Sequence, residues 1–168
     1  MALTTEQLSA LKVLIEANPT WMAYPHTSDG AFQIALDLQA VANPAYVVWR
    51  TSVSEDEYTN DTSWKGTNWD WSEYISRSIG EKAGYERMFW SGSIDPSKAN
   101  IRQGFVDVFS GGQADSVAQL DHMAAVSKRE ANLLEELFAV GTGSVGSPST
   151  MVIEGSVSYQ VILQSMGW

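Results

Sequence analysis

The side chains best suited to chemistry are few and scattered. Histidine occurs only at His26 and His122. His26 with Asp29 could in principle hold a metal, but two residues make no site, and a histidine in solvent beside a helix-capping aspartate explains the pair. Asp121 adjoins His122, and adjacent residues diverge on a helix, so they form no acid–base pair. The zinc-protease, nucleophile-elbow and phosphate-loop patterns are all missing. With no cysteine in the chain, disulfides and thiolate metal sites are excluded. Paired carboxylates are the remaining enzymatic route. Glu16, Asp37, Glu73 and Glu86 fall near aromatic residues, and retaining glycosidases need two carboxyls about 5–5.5 Å apart. Twenty acidic residues make chance pairing easy, and no motif selects a pair. The expectation is no catalytic residue, no cofactor and no metal.

Gly141-Thr142-Gly143-Ser144-Val145-Gly146 matches the dinucleotide fingerprint letter for letter. That fingerprint works only after a strand and at the opening of a helix, where amides and helix dipole meet the pyrophosphate. Here a helical pattern precedes the glycines and a strand-like run follows. The glycines are therefore expected to end a helix and form a hinge.

Seven tryptophans are spread along the chain. Trp64, Trp69 and Trp71 cluster, and three readings stay open for them: core, protein interface, and sugar platform. The net charge of −10 with ten basic residues argues against a surface that grips phosphates. It fits solubility, or a wall that DNA must slide past.

A chain of 168 residues is long enough to bury a real core. Its apolar runs are too short to span a bilayer. The N-terminal residues lack the basic and apolar regions of a signal peptide, so synthesis in the cytoplasm is expected. Asn60-Asp61-Thr62 matches a glycosylation sequon that means little without secretion.

The periodicity predicts about six helices. Thr4 to Asn18 opens with a Thr4–Gln7 capping box and buries Leu8, Leu11, Leu14 and Ile15. Gly30 to Val41 follows, with Phe32 and Leu36 inward. Ala45 to Val53 has strand composition, and a return strand through Trp64 to Trp69 would make a hairpin. Between them Glu55, Asp56, Glu57 and Asp61 form an exposed acidic loop. Asn68 to Trp90 is mostly helical, with Trp71, Ile75 and Ile79 on one face. Asp95 and Pro96 start a helix with Ile101, Phe105 and Val108 inward, and the next helix turns Val117, Leu120 and Ala124 inward. Ser127 to Val140 reads as a helix opened by a Ser127–Glu130 box, with Leu133, Leu134, Leu137 and Phe138 as its stripe. The expected organisation is mainly α: a bundle of short helices over residues 1–140, a small β-hairpin inserted at about 45–69, and a hinge with an extended C-terminal arm over 141–168.

The run SDGAFQIALDLQA around Phe32 resembles a set of small tailed-phage proteins. So do Asn43-Pro44-Ala45 to Trp49-Arg50-Thr51, Asp95 to Arg102, and Phe138-Ala139-Val140-Gly141-Thr142-Gly143 to Ser158-Tyr159-Gln160. The likeness covers the chain from about Ser28 onward. It implies a structural virion protein of the head-completion or head-to-tail connector class, an adaptor made in the host cytoplasm and resident in the virion neck. Such a class implies a ring of about twelve copies, closed by identical side-to-side contacts. It also implies a portal protein above, a stopper or tail protein below, DNA passing without specific binding, and no membrane. Met151, Val152, Ile153, Tyr159, Ile162 and Trp168 would then dock on the portal. Glu55, Asp56, Glu57 and Asp61 would line the channel or rim. This chain is longer than small adaptors commonly are. Stopper, tail terminator and capsid-associated roles remain open, as does a tryptophan-based glycan-binding or glycan-cleaving virion module.

Overall fold

Helix α1 (Thr5–Glu16) begins at the expected capping box, in which the Thr4 hydroxyl accepts from the Gln7 amide and the Gln7 side chain accepts from the Thr4 amide. Asn18 ends that segment by capping a short turn of helix, α2 (Pro19–Met22), with Pro19 at its first position. In the computed structural model, which describes residues 2–60, 66–110 and 114–168, twelve further elements follow. They are α3 (Ser28–Asp37), β1 (Val47–Trp49), β2 (Val53–Ser54), α4 (Glu55–Asn60), α5 (Trp71–Ser76), α6 (Ile79–Met88), β3 (Ser93–Ile94), α7 (Ala99–Val108), α8 (Ala114–Val126), β4 (Lys128–Glu130), α9 (Leu133–Phe138) and α10 (Tyr159–Met166). The fold is mainly α with a small antiparallel pair, as the composition predicts. Val53 pairs with Ile94 and Ser54 with Ser93, so this pair is closed by a long connection and not by a strand returning near Trp69.

The chain divides into two compact units, and not at residue 140. Residues up to Val48 together with Glu130–Trp168 form the first; Trp49–Arg129 form the second. The second is thus inserted into the first.

The first unit packs Leu11 and Ile15 of α1, Trp21, and Ala31, Ile34, Ala35 and Leu38 of the α3 segment against Leu134, Ile153, Val157, Val161, Ile162 and Met166. Here the expectation for α3 is inverted. Phe32 and Leu36 lie outward, while Ala31, Ile34, Ala35 and Leu38 are inside. Gly30 lets this face come close, because a Cβ there would collide with the Pro25 carbonyl. The extended C-terminal arm is likewise corrected. Residues 159–166 are the helix α10, whose apolar face is buried in the chain's own core. Its stripe is strong enough that burying it at home removes more apolar surface from water than a solvated arm could.

The segment expected to be a hinge is tied down. Val140 and Thr150 exchange amide–carbonyl bonds of 2.9 and 3.0 Å, Val47 donates to the Gly143 carbonyl at 2.7 Å, and Ser149 donates to the Val47 carbonyl at 3.0 Å. The Ser149 hydroxyl accepts from the Gly143 amide at 2.9 Å and lies 2.7 Å from the Tyr46 hydroxyl. Gly143 has φ of 64°, and the Tyr46 ring occupies the place of its missing Cβ. Left-handed backbone and close approach each demand glycine there. The helix expected from Ser127 also starts later. Lys128–Glu130 are strand, and the capping box belongs to Asn132 and Glu135 at the start of α9. The buried Glu135 carboxylate takes amides of both Asn132 (3.0 Å) and Gly155 (2.9 Å), fastening α9 to the tail.

The second unit has an aromatic core: Tyr58, Trp69, Tyr85, Phe89, Phe105 and Phe109 with Val53, Ile94, Val108, Met123 and Val126. Ring centroids lie 5.0 Å apart for Tyr85–Phe89, 5.4 Å for Tyr58–Phe105 and 5.5 Å for Trp69–Tyr85. The Asn68–Trp90 helix breaks at Arg77, where Ser78 and Glu81 form a fresh capping box for α6. Residues 55–60, expected as loop, are α4. On α7, Phe105 and Val108 are buried as expected. On α8, Val117 is exposed, and His122, Met123, Gln119 and Ser116 face inward.

Because α10 is core, Ile162→Ala is expected to cost about 2–5 kcal/mol, read as a lower midpoint in urea. Deleting residues 149–168 is expected to abolish the first unit's cooperative transition by circular dichroism. A truncated chain that melts like the full one would show the tail to be dispensable.

Candidate functional site

The expected docking residues serve the chain itself. Met151, Ile153 and Ile162 are buried, Tyr159 and Trp168 are half-buried, and only Val152 stands out in solvent. Trp168 stacks on His26 with centroids 4.2 Å apart and planes 11° apart, which fixes the last residue against the loop before α3. A set of anchors already packed inside one molecule is not a free docking arm.

The acidic group is rearranged too. Glu55, Asp56 and Glu57 occupy the first turn of α4, where the helix dipole favours negative charge. Burial, with Glu86 and Asp56 nearby, raises the Glu55 carboxyl above its ordinary range. Burial would also raise Glu57, but the Ser54 amide and hydroxyl and the Arg50 guanidinium outweigh it and hold Glu57 below the usual range. Glu57 accepts from the Ser54 amide at 2.9 Å and is ion-paired with Arg50, so it is no bare rim charge. Asp61 and Trp64 lie outside the described residues.

The carboxylates weighed for catalysis are spoken for by structure. Glu16 sits 3.7 Å from Lys12 on the surface of α1. Asp37 accepts from Trp21 Nε1 (3.1 Å), the Tyr24 hydroxyl (3.0 Å) and Gln33 Nε2 (3.0 Å). Glu86 accepts from the Tyr74 hydroxyl at 3.2 Å. Glu73 is buried, 2.8 Å from Arg77 and 2.5 Å from the Ser116 hydroxyl. His122 is buried and bridges Tyr58 O (2.7 Å) and Thr67 Oγ1 (3.1 Å). A carbonyl only accepts, so Nε2 donates to Tyr58 O. Among the described residues no group of three or more His, Asp or Glu could hold a metal ion. Gly141–Gly146 leads into an irregular segment whose Gly143 amide and carbonyl are already bonded, so it presents no phosphate cradle.

Surface, and not chemistry, is where the second unit stands out. Its α5–α6 segment exposes Trp71 (54%), Ile75 (67%) and Ile79 (86%), and Trp90, just past α6, is 82% exposed. Ile79, Ala83, Glu86, Arg87 and Trp90 follow helical spacing along one solvent face of α6 and its end, with the Arg87 guanidinium 5.4 Å from the Trp90 ring. The sequence signal was present as the Trp71–Ile75–Ile79 face, but its periodicity reads equally as core. A cleft of about 610 Å³ beside it is lined by Asn68, Trp69, Asp70, Trp71 and Asp121. The Asp70 amide donates to Gln119 Oε1 at 2.8 Å and its carboxylate caps α5, which fixes the cleft wall.

The buried ion pair supplies a discriminating test. Glu73→Ala would leave the Arg77 guanidinium buried without its countercharge, and a loss of about 3–5 kcal/mol in unfolding free energy is expected. Exposed Glu86→Gln is expected to change stability by less than about 0.5 kcal/mol. Equal stability of Glu73→Ala and the parent would remove Glu73 from the second unit's framework.

No protein-family model, no curated protein and no solved structure matches this chain.

Proposed function

We propose that this chain is a structural virion protein of a tailed phage, a head-to-tail connector adaptor that assembles as a ring beneath the portal. The observation that carries the reading is the exposed α5–α6 face. Four large apolar side chains, two of them tryptophan, lie in solvent on one short stretch while both units close their own cores. Monomeric soluble domains rarely leave large apolar patches open, and tryptophan is the residue most enriched at interface hot spots. The resemblance of the Phe32, Trp49, Asp95 and Phe138 stretches to small tailed-phage proteins suggests the partner class. Docking on the portal or tail neighbour is assigned to this face and not to the tail. The strongly negative charge suits a wall past which DNA moves.

Cryo-electron microscopy of particles carrying this chain tests the reading. A ring beneath the portal with Ile79 and Trp90 in a contact is expected, and Ile79→Asp with Trp90→Asp should deplete the chain from particles. Density on the capsid shell or at the tail tip would reassign the role, and absence from the particle would end it.

A glycan-binding virion module is the second reading, favoured by one observation. Trp71 is half-exposed at the mouth of a cleft that also holds Asn68, Asp70 and Asp121, with its ring 5.8 Å from Trp69. Cell-wall fragments are expected to shift tryptophan emission in the parent and not in Trp71→Ala. An unchanged parent spectrum in saturating glycan would dismiss this reading.

A further inference from the structure

The two units differ sharply in charge. The first carries eight carboxylates and a single lysine, a net of −7; the second carries twelve carboxylates and nine of the ten cations, a net of −3. Both units are net negative, so attraction between copies is set by where individual cations stand and not by the net charges.

The cations of the second unit are not evenly spread. Arg102, on α7, lays its guanidinium 4.4 Å from the Trp49 ring, and the Lys128 ammonium lies 5.5 Å from the same ring. Arg102 Nη1 donates to the carbonyls of Pro96 and Ser97, each at 2.7 Å. Those partners are neutral, so they fix the guanidinium without cancelling its charge. No carboxylate among the described residues lies within ion-pair distance of it. Beside it, α7 and α8 enclose a pocket of about 240 Å³ walled by Trp49, Arg102, Phe105, Leu120 and Ala124, with half-exposed Val106 at its edge. Asp121 also lines it. A groove with an apolar floor and a fixed cation suits an apolar side chain carried next to a carboxylate.

The solvent face of α3 in the first unit has that form. Asp29, Phe32, Gln33 and Leu36 follow i, i+3, i+4, i+7 spacing, and all four are exposed. Phe32 is 54% and Leu36 44% exposed. A phenyl ring is small enough for the pocket volume and would be buried there beside the Arg102 guanidinium and the Trp49 ring. Asp29, one turn earlier, brings the carboxylate.

We propose that the α3 ridge of one copy, with Phe32 as anchor and Asp29 as its charged neighbour, docks in the Trp49–Arg102 pocket of a second copy. The two surfaces are different, so the contact is head-to-tail and propagates from copy to copy, into a ring where its rotation closes. This deepens the connector proposal and rests on it for the closed ring. It assigns copy-to-copy contact to α3 and the Trp49 pocket, and leaves the α5–α6 face for the other neck proteins.

The test uses the full chain and three variants: Phe32→Asp on the ridge, and Arg102→Glu and Val106→Asp on the pocket. Val106→Asp leaves the Arg102 bonds to Pro96 and Ser97 untouched, so it covers the case in which Arg102→Glu misfolds. Sedimentation velocity is expected to show concentration-dependent assembly of the parent. Each variant should keep the parental circular dichroism and lose about 30-fold or more in association constant. Mixing Phe32→Asp with Val106→Asp should yield heterodimers that grow no further, because each retains one intact surface. A parent that stays monomeric overturns the inference, as do variants that assemble like the parent or a mixture that stays monomeric. Those outcomes leave the neck assignment to be judged by the particle images alone, where a ring joined through other surfaces would uphold it.

Discussion

The first unit depends on its last helix coming home. Leu11, Ile15 and Ile34 have no complete core until Val161, Ile162 and Met166 of α10 reach them. Between these partners the chain runs through the whole of Trp49–Arg129. Closing so long a loop costs entropy, although the cost grows only slowly with length. Contacts of high sequence separation must repay it together. Glu135 contributes a local fastening on the return path, taking the Asn132 and Gly155 amides at once. Trp168 on His26 makes the end of the chain part of the same closure.

The inserted unit is held by a different balance. Its core is aromatic, and its interior includes polar groups that must be matched. Burial pushes the Tyr58 and Tyr85 hydroxyls well above the ordinary phenol range. The Tyr58 hydroxyl has the Ser127 hydroxyl at 2.8 Å, and His122 spends both ring nitrogens on Tyr58 and Thr67. Glu73 and Arg77 neutralise one another under α8. The Tyr85 hydroxyl is buried without a hydrogen-bond partner, whereas Tyr58, His122 and the Glu73–Arg77 pair specify how the helices meet, because a shifted register would bury their charge or hydroxyl unpaired. Trp71, Ile75, Ile79 and Trp90 are left outside that interior.

Local signals in the sequence carried the parts that local physics decides. The Thr4–Gln7 box, the Asn18-Pro19 stop and the Phe105–Val108 stripe all stand where the chain chemistry put them. Failures arose where two local patterns competed and a distant partner chose. In α3, Phe32 and Leu36 have the same four-residue spacing as Ile34 and Leu38. Only the arrival of α10 decides which pair is buried. Two capping boxes were written close together, at Ser127–Glu130 and Asn132–Glu135. The strand of Lys128–Glu130 consumes the first. The glycine- and serine-rich stretch after Val140 has the composition of a linker, but Tyr46 and Val47, far away in sequence, bond it into place. The buried Glu73 was visible as a carboxylate near tryptophan. Its partner Arg77 lay one turn away, and burial was the missing information. The solvent ridge of α3 was hidden by the same ambiguity that inverted the helix.

The insertion has a consequence for how this gene can change. On the first unit, the strand ends where the insert departs and returns are joined by the Ala131 amide donating to Tyr46 O at 2.8 Å. On the inserted unit, its own two ends are joined by Arg50 N donating to Ser127 O at 2.9 Å. Each piece therefore starts and finishes at one point, the condition under which domain insertion is tolerated. Recombination at these two borders can exchange the tryptophan-bearing piece while the recipient keeps its own core. A chain built this way can change its inserted unit and keep its frame.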